Sequence, residues 1–121
     1  MRDDKQYLTD IVNAADLISL HVSGRTLEDF LDDKMLQQSV LFSFTIIGEA
    51  ANKLSSLTKE SYPEIEWSSI ISFRNIIVHA YFSLNLKTIW SAANRRVVPL
   101  AEQVRAIIRH DFAEDDANSA Q

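Results

Sequence analysis

The 121-residue sequence has no cysteine, only two glycines and only two prolines. The absence of cysteine excludes disulfides, thiolate zinc sites and cysteine nucleophiles. Because hairpins and loops draw on glycine and proline, a chain with so few of them and 46% hydrophobic residues favours long helices over a sheet. We therefore expect an all-α protein, an up-and-down four-helix bundle with one short extra helical turn.

Long uncharged apolar runs are also missing. No stretch reaches the roughly 18 apolar residues that a membrane span needs. The first ten residues, MRDDKQYLTD, are charged where a signal peptide has an apolar segment. We expect no membrane association and a cytoplasmic location.

Positive charge is scarce overall, since the formal net charge is −5. Binding of nucleic acid through bulk positive charge is therefore not expected. Residues 86–111, however, hold five Lys or Arg against two Asp or Glu. Arg95, Arg105 and Arg109 fall on one side of a predicted helix there, and they are candidate contacts to an RNA backbone or simply solubilising charges.

Apolar residues recur at helical spacing through most of the chain. Thr26 begins an N-terminal box, Thr-Leu-Glu-Asp, that predicts the short extra turn. Pro99 should kink the last helix. We expect four long helices, from Asp3 or Asp4 to about Val22, over about 34–57, from about Trp67 to an interruption at Ser83, and over about 86–110. A loop is expected over 58–66. The chain should form one domain over residues 1–112, followed by a disordered acidic tail over 113–121.

Two neighbouring residues of the second long helix are unusual. Gly48 in mid-helix costs about 1 kcal/mol relative to alanine, which is tolerable if another backbone approaches closely there. Glu49 either meets a basic partner from another helix or pairs with Lys53 one turn later. Periodicity alone favours the pair with Lys53.

The segment FRNIIVHAYF, residues 73–82, places Arg74, Asn75, His79 and Tyr81 in an apolar stretch. On an ideal helix one side of this segment is apolar, and polar groups alternate with apolar ones on the other, as on a surface that a partner covers. Arg74 and His79 lie about 140° apart, so one chain does not aim both at one atom. Two antiparallel copies would bring two of each into a shared groove, which predicts a two-fold homodimer.

Arginine and histidine in a groove suit chemistry at a phosphodiester. Imidazole can move a proton near neutral pH, and guanidinium can hold phosphate oxygens as charge builds. RNA supplies its own nucleophile, the 2′-OH, so an endoribonuclease that leaves a cyclic phosphate needs no metal and no cofactor. Spacing alone proves little, because Arg105 and His110 have the same separation, and we interpret His110 and His21 as helix-end residues.

The pattern Arg74-Asn75, three apolar residues, His79, one residue and Tyr81 resembles the R-x4-H-x-Y motif of HepT-like proteins in the HEPN superfamily. The resemblance covers roughly residues 3–110 in order. It includes Ile46-Ile47-Gly48-Glu49-Ala50-Ala51, Tyr62-Pro63-Glu64-Ile65 and Trp67.

This resemblance implies a helical-bundle homodimer with RNase activity, the toxin of a type VII-like toxin–antitoxin pair whose antitoxin is a minimal nucleotidyltransferase. By analogy Arg74 and His79 are catalytic and Asn75 supports them. Tyr81 is where the partner attaches AMP and silences the toxin. Ala80 departs from the acidic residue that many relatives carry there, which predicts weaker catalysis.

Two other interpretations remain open. Arg74 and His79 can belong to an interhelical or dimer-interface network without catalysis. The chain can also be a non-catalytic subunit that binds a nucleotide or a partner nucleotidyltransferase.

Overall fold

The computed structural model describes residues 3–113, which contain α-helices and no strand. The all-α prediction is confirmed. A short 3-10 turn, Tyr81–Ser83, follows the fifth helix. The helices are α1 Asp4–Val22, α2 Leu27–Asp32, α3 Lys34–Lys53, α4 Ser56–Ser61, α5 Trp67–His79, α6 Leu86–Arg95 and α7 Val97–Asp111.

Side-chain caps fix the first two helix starts where the sequence predicts them. The Asp3 carboxylate accepts a hydrogen bond from the backbone N–H of Gln6 and caps α1. Thr26 and Asp29 form the reciprocal capping box of α2. Gly24 ends α1 with a φ of 73°, a conformation that costs glycine little.

The core forms where α1 packs against α3 on one side and α7 on the other. α2 closes one end, where the ring of Phe30 lies 5.2 Å from that of Trp90 on α6. The predicted apolar stripe of α1 is buried throughout, and α7 contributes Val97, Ala101, Val104 and Ile107. Burial of these stripes is the main force that holds the bundle together.

The region between α3 and α5 differs from the prediction in two ways. α3 ends at Lys53 rather than near residue 57, and part of the predicted loop is the helix α4. Ser55 caps α4 by accepting a hydrogen bond from the backbone N–H of Thr58. The Asp4 carboxylate adds a contact from α1, since it accepts hydrogen bonds from the backbone N–H of Ser55 at 3.0 Å and the hydroxyl of Thr58 at 2.6 Å. This contact across some fifty residues has no signature in local sequence.

The predicted fourth helix is two helices. α6 ends at Arg95, Arg96 forms a turn, and α7 begins at Val97, so Pro99 lies in the first turn of a new helix instead of kinking a continuous one. Proline is tolerated there because the first N–H groups of a helix have no intrahelical partner.

α5 packs mainly on α3 and makes few contacts with α6 and α7. A cleft therefore separates it from the last two helices. No helix within residues 3–113 has the length and hydropathy required to span a membrane. The predicted tail over 113–121 lies outside the described residues except for Ala113, and the single domain over 1–112 stays a prediction.

Candidate active site

Arg74 is held in place by a close contact between α5 and α3. Gly48 on α3 is buried, and a Cβ added to it would overlap the Cβ and Cγ of Arg74. The same Cβ would lie 3.3 Å from the carbonyl oxygen of Ile70. The close approach that the sequence predicts at Gly48 is therefore confirmed, and the residue approaching it is the candidate catalytic arginine.

The Arg74 guanidinium is oriented by two neighbours. Its Nη2 donates to Glu49 Oε2 at 3.1 Å, and its Nη1 donates to Asn75 Oδ1 at 2.9 Å. The side chain is 28% exposed, and its Nε is buried without a partner among residues 3–113. The arginine thus presents a partly exposed cation whose donors are not all used.

Glu49 has both of the partners that the sequence left open. Its Oε1 lies 3.2 Å from Lys53 Nζ, one turn along α3, while Oε2 accepts from Arg74. Periodicity favoured Lys53 alone, because a pair between different helices leaves no trace in spacing along one of them. The adjacent Gly48 was the available signal, since it marked where a second helix comes near.

His79 is the last residue of α5, and both it and Asn75 are exposed. None of the hydrogen bonds described for residues 3–113 joins His79 to Arg74. Within one chain the Arg74 guanidinium is hydrogen-bonded to Asn75 and Glu49, and the angle of about 140° between Arg74 and His79 on the helix stays a prediction.

The position of Tyr81 differs from the prediction. α5 ends at His79, Ala80 adopts φ −123° and ψ 33°, and Tyr81 begins the 3-10 turn. The predicted continuation of the helix to Ser83 was wrong, because the α-helical geometry ends two residues before Tyr81. The ring is 44% exposed and contacts Phe82 edge to face, with 5.4 Å between ring centroids.

Several large apolar side chains in α5 and just after it are exposed. They are Ile76 and Val78 on α5 and Phe82, which is 100% exposed. On α3, Phe42 and Met35 are also exposed. Exposed large apolar groups are typical of protein interfaces, and the interface expected on one side of α5 stays a prediction.

The three candidate RNA-contacting arginines do not form one row. Arg105 makes a short ion pair with Asp16 on α1. Arg95 and Arg109 are exposed, but they lie on different helices. The predicted common side assumed one continuous helix, and the break at Arg96 removes that assumption.

The other two histidines, His110 and His21, each lie next to a polar side chain. His110 Nδ1 lies 2.6 Å from Asp111 Oδ1, and Tyr62 donates to the same oxygen at 2.8 Å. The contact with His110 lowers the pKa of Asp111 despite partial burial, whereas burial and the nearby carboxylate raise the pKa of Tyr62. His21 Nδ1 lies 2.8 Å from Ser39 Oγ.

The described part of the chain contains no group of three His, Cys, Asp or Glu side chains arranged to hold a metal ion.

Comparison with known proteins identifies the family. The sequence profile described as "Ribonuclease HepT-like" matches residues 11–107. The chain belongs to the HepT-like ribonuclease family. Membership of this HEPN-type family agrees with the helical bundle.

Several HepT-like relatives match nearly the whole chain. A protein of Thermococcus cleftensis named "Probable ribonuclease HepT" is 34% identical over 99 residues, 82% of this chain and 90% of that protein. Two others are named as candidate RNases. One, from Methanocaldococcus jannaschii, is 31% identical over 98% of this chain and 97% of its own length, and one from Caldanaerobacter subterraneus subsp. tengcongensis is 29% identical over 92% and 99%. No solved structure matches the chain significantly.

Proposed function

We propose that this protein is a metal-independent endoribonuclease whose active site is shared by two copies of the chain. The observation that carries the proposal is the position of Arg74, braced by Gly48 and Glu49, on the same helix as an exposed His79. Two chains paired through the apolar surface around α5 would place each arginine near the partner copy's histidine.

The reaction follows from these groups. The 2′-OH of the substrate attacks the adjacent phosphorus, the P–O5′ bond breaks, and the products are a 2′,3′-cyclic phosphate and a 5′-OH. The imidazole of His79 takes the proton of the 2′-OH, and the imidazolium formed in this way gives that proton to the departing O5′. Each site thus needs one histidine, from one chain, and one arginine, from the other chain.

Arg74 would stabilise the charge that builds on the phosphate oxygens. Its Nη1 is turned toward the exposed side chain of Asn75 and its Nη2 toward Glu49. A phosphate entering the groove can replace the Asn75 contact while Glu49 keeps the guanidinium oriented. Asn75 then acts as a supporting group, either to the arginine or to the phosphate.

The test is RNA cleavage in the presence of EDTA with analysis of the product ends. We expect cyclic-phosphate ends, and we expect a folded His79→Ala variant to lose cleavage. His110→Ala is the matched control, because His110 also lies five residues after an arginine and its side chain is 80% exposed. Equal cleavage by His79→Ala and wild type would overturn the proposal, and cleavage that needs a metal would overturn its metal independence.

We further propose that the protein is the toxin of a toxin–antitoxin pair and is silenced by AMP attachment at Tyr81. The Tyr81 oxygen would attack the α-phosphorus of ATP bound to a partner nucleotidyltransferase, releasing pyrophosphate and the phenolic proton. The exposed ring, two residues beyond His79, supports this role. An added anion there would repel RNA phosphate near the active site.

Intact mass after incubation with ATP and the cognate nucleotidyltransferase tests the silencing. The wild-type chain and a Tyr62→Phe control should both gain the mass of AMP and lose cleavage. Tyr81→Phe should gain no mass and stay active. An unmodified wild type, or modification of Tyr81→Phe, would contradict this role.

A further inference from the structure

A cleft of about 490 Å³ lies on another side of α5. It separates α5 from α6 and α7, and α3 forms its floor. Its volume falls in the range of about 300–1,000 Å³ that is usual for small-molecule sites. Neither Asn75 nor His79 lines it, so it is distinct from the catalytic groove.

The floor of the cleft is apolar and partly aromatic. Phe44 and Phe73 meet edge to face with 5.0 Å between ring centroids, and Val97 and Leu100 continue the surface. A flat, weakly polar ring system is the kind of group that such a floor accommodates.

Hydroxyl groups line the walls above this floor. Ser69 lies on α5, and Thr88 and Ser91 lie across from it on α6. Hydroxyls both donate and accept hydrogen bonds, so they suit a ring whose edge carries donors and acceptors. An aliphatic ligand would leave these groups without hydrogen bonds.

Three charged residues also line the cleft, the cations Lys87 in the first turn of α6 and Arg96 at the junction with α7, and the carboxylate of Glu66. Arg96 pairs with Glu66 at 4.0 Å, and both side chains are more than 70% exposed. An ion pair this long and exposed contributes little, so an anion can replace the carboxylate at low cost. The surrounding residues 86–111 carry an excess of positive charge.

We propose that this cleft binds one nucleotide, with the base over Phe44 and Phe73 and the phosphate at Lys87 or Arg96. A free nucleoside monophosphate and an unpaired nucleotide of an RNA strand share this chemistry. An RNA strand is the source that fits a ribonuclease, and the identification of RNA as the ligand rests on the proposed function. Phe73, which lines the cleft, directly precedes Arg74.

The test compares two substitutions on α6. Ser91→Phe fills the cleft, and Asn94→Phe places the same ring on an exposed position outside it. The probes are AMP and a short single-stranded RNA with 2′-O-methyl riboses, which cannot be cleaved through the 2′-oxygen. We expect Ser91→Phe to weaken binding of both probes about tenfold or more, and Asn94→Phe to leave both unchanged.

A second pair of variants guards against misfolding of Ser91→Phe. The double substitution Lys87→Ala with Arg96→Ala should weaken both probes, and Lys34→Ala, an exposed lysine on α3 outside the cleft, should not. If the variants weaken the binding of AMP but not of the RNA probe, the cleft is supported as a nucleotide site and the RNA strand is excluded as its ligand. AMP that does not bind, or binds equally to all variants, overturns the proposal. If the wild type binds AMP but cleaves no RNA, and Ser91→Phe removes the AMP binding, the proposed ribonuclease activity is refuted and the nucleotide site is supported.

Discussion

Gly48 and Arg74 are in direct contact, and the space that a Cβ of residue 48 would fill is occupied by the arginine side chain. A glycine in the middle of α3 thus sets the position of the candidate catalytic group on α5. The pair explains why a residue that weakens a helix stands there.

Gly48→Ala should reduce cleavage more than stability. The substitution gains helix propensity of about 1 kcal/mol, but the overlap with Arg74 costs about 1–3 kcal/mol and displaces the guanidinium. We expect kcat/KM to fall about tenfold or more, since small displacements of catalytic groups are costly. Gly24→Ala is the control, because Gly24 has φ 73° and a Cβ added there would meet no non-adjacent residue within 4 Å. It should lower Tm and leave kcat/KM unchanged, and equal activity losses in the two variants would contradict the account.

Two substitutions of Glu49 should separate its charge from its bracing of Arg74. Glu49→Gln retains an oxygen that can accept from Nη2 but removes the negative charge that competes with phosphate. We expect its KM for RNA to fall about threefold with kcat little changed. Glu49→Ala leaves the guanidinium unbraced and should lower kcat about tenfold. Steady-state kinetics decide, and identical behaviour of the two variants would show that Glu49 does not orient Arg74.

Asp4 should make stability depend on pH in the acid range. Burial raises the pKa of this carboxyl, but hydrogen bonds from Ser55 and Thr58, with the charge of Lys59, outweigh it and lower the pKa below the ordinary 3.8. The stabilisation is therefore complete above pH 3.8 and disappears as the pH falls through the lower folded-state value.

Denaturant unfolding across this pH range measures the effect. Asp4→Asn should be less stable than wild type at neutral pH, and its unfolding free energy should depend less on pH below 3.8. Asp32→Asn, at an exposed position, should follow the wild-type profile. Parallel profiles for wild type and Asp4→Asn would contradict the assignment.

The arginines of α6 and α7 should differ in their effect on RNA binding. Arg105 is paired with Asp16, so Arg105→Ala should cost about 0–1 kcal/mol of stability and change RNA affinity little. Arg95→Ala and Arg109→Ala remove exposed cations and should weaken binding and reduce its salt dependence. Affinity measured at several salt concentrations is the readout. A larger loss for Arg105→Ala than for the other two would reverse this order.

Sequence could predict features that depend on local pattern. The buried stripe of α1, the capping box at Thr26 and the start of α5 at Trp67 follow from helical spacing and cap chemistry. Gly48 signalled a close approach because a mid-helix glycine needs a reason. Arg74 and His79 are candidate site residues because polar groups in an apolar stretch conflict with burial, and their catalytic role stays a prediction.

Features set by distant contacts were not predictable. The first turn of α4 is bonded to Asp4 on α1, and the second partner of Glu49 comes from α5. The position of Tyr81 depends on the end of α5 at His79, which helical spacing along the segment did not mark. The cleft exists because α5 packs on α3 and not on α6 and α7, a choice between helices that their individual stripes do not encode.

Mixing two inactive variants tests the shared active site most directly. Arg74→Ala and His79→Ala should each be inactive alone, as folded dimers. After exchange of chains, each mixed dimer carries one site with both an intact arginine and an intact histidine. Cleavage should then return to about a quarter of the wild-type rate, because random exchange makes half of the dimers mixed. No recovery from mixtures that contain mixed dimers would contradict a site built from two chains.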